Sequence, residues 1–286
     1  MSRDRKLGAA AKVRWITGFI IILLLSWLLL PSFARSRAIV IMRAYDIRQT
    51  EKARLEEYPL TVELPYQKSL ELESGSYEFL PVMNTFNASG GFSSWHGREL
   101  ELVIDYAVPD FERSQWGLRK SHSAFYDPRH PLYNSYFGCY YLRGHDAPLD
   151  TETAMAVLEY DIRLLALPAV GLPAEDSSFQ VSDIRQVDSL RLGSLEWTVY
   201  EAMLRMNGPQ HEPDGFQPGY LQFGMPPPGD GMAEQYPVVT MHGRIYVTTL
   251  EEHDLSLGLY VLASTEEALA AIAETYLEEA DLVLHQ

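Results

Sequence analysis

Sixteen consecutive residues, Trp15 to Leu30 (WITGFIIILLLSWLLL), carry no charged side chain. As an α-helix the run is about 24 Å long, short of the ~30 Å hydrocarbon core of a bilayer. Pro31 to Ala34 extend it to twenty residues, and Lys12 and Arg14 can snorkel back to the interface. An apolar run with no polar face, directly behind a basic N-terminus, predicts a transmembrane segment over 15–34 rather than a buried core helix.

The flanks set the orientation. Arg3, Arg5, Lys6, Lys12 and Arg14 precede the segment, whereas Arg35, Arg37 and Arg43 follow it closely. The excess places residues 1–14 in the cytoplasm and everything after residue 34 on the far side of the inner membrane. Ser32-Phe33-Ala34 puts small residues at the −3 and −1 positions of a signal-peptidase site. The apolar run exceeds the usual h-region of about 7–15 residues, so the segment reads as a retained signal-anchor. No cysteine stands directly behind it, which excludes a lipoprotein signal.

Residues 1–34 hold five basic side chains and one acidic one, so of the chain's net charge of −16 the other 252 residues carry −20. After Arg205 the only Lys or Arg is Arg244, against thirteen Asp and Glu. Such a balance excludes nucleic-acid binding, which needs clustered Lys and Arg. It repels anionic lipid headgroups and favours a basic protein partner, or simply keeps an envelope protein soluble. The single cysteine, Cys139, excludes a disulfide framework and a Cys-rich zinc site. Amid aromatic residues it reads as a small buried hydrophobe.

Beyond a juxtamembrane segment, 35–57, alternation takes over. Leu60–Leu64, Ser69–Glu73 and Glu99–Ile104 have the period of strands with one wet face. Asn84 to Gly97 (NTFNASGGFSSWHG) reads as a turn-rich loop, Asp110 to Pro131 as a long irregular connection, and Asn134 to Arg143 as a central strand. From Thr151 to about Leu167 the stripe Met155, Leu158, Ile162, Leu165 predicts a helix capped by Asp150, with a Glu159–Arg163 pair on its side and Pro168 at its end. Ala169 to Ser178 is the junction between two halves, 58–176 and 177–286. In the second, Leu190 to Met203 predicts one or two strands. Val238 to Met241, a His242-Gly243 turn, Arg244 to Leu250, a Glu251–Asp254 loop and Leu255 to Ala263 predict a meander. A closing helix opens on a Ser264/Glu267 capping box and buries Leu269, Ile272, Ala273, Tyr276 and Ala280. The fold class expected is α+β: mainly antiparallel sheet with about two packed amphipathic helices.

Three constellations bear on chemistry. Ser93 and Ser94 stand beside His96 in a glycine-rich stretch, and with a distant base such as His122 or His145 would make a serine hydrolase. The elbow pattern G-x-S-x-G is not met, and adjacent Ser and His rarely face each other. His122, Asp127 and His130 could converge on a metal, but at no recurring ligand spacing. Glu251, Glu252, His253 and Asp254 could hold calcium, yet the EF-hand spacing is absent and a solvated hairpin tip explains them with fewer assumptions. Phosphate-cradling loops, a dinucleotide fingerprint and a C-x-x-C pair are missing, so no cofactor is expected. Phe125, Tyr126, Tyr133 and Tyr136 stand out as aromatic side chains for an interaction surface. The sequence thus points to a bacterial-type single-pass membrane protein. Its acidic periplasmic domain reads as a non-catalytic interaction module of inhibitor, immunity or accessory type. An anchored hydrolase and a scaffold component of an envelope complex are the alternatives.

Overall fold

The computed structural model describes residues 58–65, 68–78, 84–107, 127–144, 150–169, 172–208, 210 and 236–285. The apolar segment 15–34 and the juxtamembrane segment lie outside these residues. Among the described residues no helix is long and apolar enough to cross a membrane.

Seven strands form one antiparallel sheet. In chain order they are β4 (Asn84–Asn87), β5 (Glu101–Ala107), β6 (Tyr136–Arg143), β7 (Phe179–Leu192), β8 (Leu195–Asn207), β9 (Val238–Leu250) and β10 (Leu255–Ala263). Their spatial order is β4-β5-β6-β10-β9-β8-β7. Two meanders, one from each half of the chain, therefore meet where β6 pairs with β10, from Leu255 opposite Arg143 to Leu262 opposite Tyr136. These two strands are buried along almost their whole length. Their sequences, YFGCYYLR and LSLGLYVLA, are correspondingly apolar on both faces, as a strand covered on both sides must be.

One face carries α1 (Ser89–His96) and α2 (Thr151–Tyr160), the latter continuing through a π-helical turn, Asp161–Ala166, to Ala169. Phe92, Leu158 and Ile162 pack there on Tyr140, Ile245 and Tyr260. The other face carries α3 (Glu266–Ile272), extended by a second π turn, Ala273–Leu277. Beside it lie two ribbons, β1 (Leu60–Glu63) with β11 (Asp281–Leu284) and β2 (Ser69–Leu72) with β3 (Gly75–Glu78). Trp197, Tyr246, Leu257, Ile272 and Tyr276 fill this layer. Each fully buried aliphatic side chain contributes about 2 kcal/mol relative to an exposed one.

Several expectations hold in detail. Asp150 caps α2 by accepting from the Thr153 amide at 2.7 Å. Glu159 and Arg163 pair at 2.6 Å, the expected face of α3 is buried, and Cys139 is a buried free thiol.

Others are corrected. The Asn84–Gly97 loop is strand β4 followed by α1, whose glycines masked a helix with low intrinsic propensity. His242-Gly243 is no turn but lies inside β9. A Cβ at Gly243 would lie 2.6 Å from Leu204 Cδ1 and 3.1 Å from Leu262 Cδ2, so this glycine serves close packing. Pro168 does not stop α2; the helix ends at Ala169, and the Leu172 amide closes on the Leu167 carbonyl at 2.9 Å. The cap of α3 is Thr265, whose Oγ1 accepts from the Ala268 amide at 3.1 Å. Ser264 instead donates to the Pro131 carbonyl, and Glu267 accepts from the Glu73 amide. Tyr133 and Tyr136 are not surface contacts: both are buried, Tyr136 within the β6 core.

Candidate functional site

A groove of about 840 Å³ lies over β7, β8 and β9 beside α3. Strand register builds its centre. Arg185 on β7 stands opposite Glu201 on β8, and Glu201 opposite Arg244 on β9. The two Glu201 oxygens are thus shared out, Oε2 accepting from Arg185 Nη2 at 2.9 Å and Oε1 from Arg244 Nη2 at 3.0 Å. Burial pushes the Glu201 carboxyl up, but the hydrogen bonds from both arginines outweigh it and hold the group below its ordinary range. Arg244 also reaches towards Glu278 Oε1 (3.9 Å), which accepts from the Tyr246 hydroxyl at 2.8 Å.

The rim is differently built. β7 pairs with β8 through two bulges, between Ser182 and Arg185 and between Gln186 and Asp188. The first holds Asp183 in the left-handed region (φ 53°). Each bulge leaves an apolar side chain in water: Ile184 is 43% exposed and Val187 42%. Ile184, Met203 and Leu269 make an apolar lining, while Asp183 and the highly exposed Glu266 are acidic flanks. His242 Nδ1 lies 3.9 Å from Glu266. The lining contains carboxylates, guanidiniums and an imidazole but no hydroxyl or thiol nucleophile.

A second depression, of about 600 Å³, brings together Ser93, His253 and Asp254, which the sequence offered for two different chemistries. The Ser93 hydroxyl is committed elsewhere, donating to the Leu100 carbonyl at 2.7 Å and accepting from the Leu100 amide at 3.0 Å. Ser94 sits exposed on α1. Glu251, Glu252 and His253 form an exposed 3₁₀ turn between β9 and β10, with Asp254 left-handed at its end.

Asp127 is taken by Arg129, which donates Nε–H at 3.0 Å and Nη2–H at 3.1 Å; these side-chain hydrogen bonds hold its carboxyl down at about 2. His130 Nδ1 accepts from the Leu132 amide at 3.1 Å, and the ring meets Tyr77 edge-on. Among the described residues no group of three or more His, Cys, Asp or Glu is placed to hold a metal. His122, His145, Phe125 and Tyr126 lie outside the described residues.

Sequence reasoning missed the Arg185–Glu201–Arg244 row, because register across three strands is not written in any one of them. It also missed Asp161, although a signal was present: Asp161 follows Leu158 by three residues and so falls on the buried stripe. It is 1% exposed, the one carboxylate among the described residues that is fully buried. Its Oδ2 accepts from the Tyr260 hydroxyl at 2.8 Å, and its Oδ1 has no hydrogen-bond partner.

No family model matches this chain. It is similar to a glycoprotein of Hirame rhabdovirus (strain Korea/CA 9703/1997), at 27% identity over 136 residues, 45% of this chain and 26% of that protein. The chain thus spans about a quarter of the length of the curated relative it matches.

Proposed function

We propose that the chain is a single-pass protein of the bacterial inner membrane, N-terminus inside, whose acidic periplasmic α+β domain is a non-catalytic module for binding another protein. The observation that carries the reading is the groove beside the bulged β7 edge. It sets the exposed aliphatic side chain of Ile184 beside the carboxylates of Asp183 and Glu266, and a second exposed aliphatic side chain, Val187, stands at the next bulge of the same strand. Apolar anchors ringed by charge are the anatomy of a protein interface. A net −20 outside the predicted anchor selects a basic partner surface. The bulges deny a partner the straight hydrogen-bonding edge that strand addition needs, so recognition is by side chains. The likeness to a viral glycoprotein agrees with an exported chain, though it spans less than half of this one.

The test is a photoreactive amino acid placed at Ile184 in intact cells, with the same residue at the exposed hairpin tip, Glu252, as control. A discrete adduct from Ile184 that disappears in high salt and is absent from Glu252 is the expected result. Equal labelling from both positions, or no adduct at Ile184, overturns the groove as the binding face. A C-terminal reporter active only outside the cytoplasm checks the topology separately, and its silence overturns the membrane placement.

A further inference from the structure

We infer that Asp161 is a proton-operated clamp: neutral, it holds helix α2 against the sheet, and ionised, it loosens that helix. Asp161 opens the π turn that interrupts α2, and such turns are frequent at functional sites. Its carboxyl meets the sheet beneath at Tyr260, one of a cluster of three buried tyrosines. From β10 comes Tyr260, the hydroxyl that Oδ2 accepts from. From β6 come Tyr136 and Tyr140, whose rings lie 6.0 and 6.2 Å from that of Tyr260. Cys139, also on β6, turns to the opposite core and donates to the Tyr141 hydroxyl. On α2 itself the neighbouring charges, Glu159 and Arg163, satisfy each other. Among the described residues no ammonium, guanidinium or imidazole is paired with Asp161.

A carboxylate here faces low dielectric with one hydrogen bond to help it. Burial therefore pushes the Asp161 carboxyl up to about 7, and the Tyr260 hydroxyl, which favours the ionised form, pulls only part of the way back. Tyr260 is itself raised well above its ordinary value and remains a donor throughout. The linkage follows in sign. The folded state holds a proton that the unfolded chain releases near the ordinary aspartate value, ~3.9. The neutral contact is therefore worth most below that value, weakens as pH rises, and is exhausted once pH passes about 7. This is opposite to the acid lability of a paired surface carboxylate. It makes the α2 layer tightest in an acidified surrounding.

The experiment compares the full-length protein with Asp161→Asn and Tyr260→Phe, reading denaturant unfolding and amide exchange of residues 151–169 from pH about 4 to about 8. Asparagine keeps the shape of the neutral acid and cannot ionise. The folding constant of the wild type relative to Asp161→Asn is expected to fall about tenfold per pH unit up to about 7 and then level off. Exchange in 151–169 should quicken over the same range beyond the intrinsic base-catalysed rise. In Tyr260→Phe the levelling point moves to higher pH, because the donor that favours the carboxylate is gone. Parallel pH profiles for wild type and Asp161→Asn, or a levelling point in Tyr260→Phe that stays or falls, overturn the clamp.

Discussion

The hydroxyl of Ser93 closes both halves of a backbone pair on Leu100, donating to its carbonyl at 2.7 Å and accepting its amide at 3.0 Å. One helical turn earlier Ser89 repeats the pattern on Leu102, with the amide at 3.0 Å and the carbonyl at 3.4 Å. Strand β4 pairs with β5 only from Val103 onwards. The two hydroxyls thus take the place of a neighbouring strand for both main-chain groups of Leu100 and for the Leu102 amide, while the Leu102 carbonyl also accepts from the Ala88 amide at 2.8 Å. This is a structural use of the serine that the sequence offered as a nucleophile. Replacing Ser93 by alanine leaves two main-chain groups short of a partner, and should destabilise the protein by about 1–3 kcal/mol in denaturant unfolding. Ser94→Ala, on the exposed side of the same helix, should stay within about 0.5 kcal/mol. Equal effects of the two substitutions would show that the bridge to Leu100 carries no stability.

Gly258 faces the ring of Tyr140 across the β6–β10 pair. A Cβ at Gly258 would overlap Tyr140 Cζ and Oη, and these lie between a buried strand and α2, with nowhere to retreat. Gly258→Ala is expected to cost about 1–3 kcal/mol through overpacking. The double variant with Tyr140→Leu should recover part of that loss, since the larger ring is what the methyl group meets. Additive losses in the double variant would place the strain elsewhere.

The helix starts show what was legible and what was not. The Asp150 cap could be read because its carboxylate, the stripe behind it and the Glu159–Arg163 pair all lie within one short segment. The cap of α3 was misplaced by one residue, because Ser264 and Thr265 are both good caps and only the docking of Ser264 on the Pro131 carbonyl decides between them. Likewise the burial of Asp161 depends on Tyr260, 99 residues away, and the Glu201 row on three strands whose order no local pattern states. Local chemistry was readable; long-range register was not. Thr265→Ala should cost about 1 kcal/mol of stability as a lost cap, and Ser264→Ala less, measured by thermal or denaturant unfolding. The reverse order would restore the capping box that the sequence first suggested.

Glu201 gives the acid response opposite to that of Asp161. Its carboxylate is 23% exposed and receives Arg185 and Arg244, so its folded-state value lies below its unfolded one. The contact is therefore fully formed above the ordinary glutamate value of ~4.3 and is lost as pH falls through the lower folded value. Arg244 is the more sheltered partner, with 22% of its side chain exposed against 72% for Arg185. Most of the stabilisation should run through Arg244, because a largely solvated pair is screened and contributes little. Glu201→Gln should lower stability by about 1–3 kcal/mol at neutral pH and flatten the acid limb of the unfolding profile. Arg185→Gln should change either by less than about 1 kcal/mol. A Glu201→Gln protein whose acid limb matches the wild type would mean that the three-strand row lacks the energetic role its geometry implies. Combined with Asp161→Asn it should remove both slopes, and because the two residues belong to opposite layers of the sheet the effects should add.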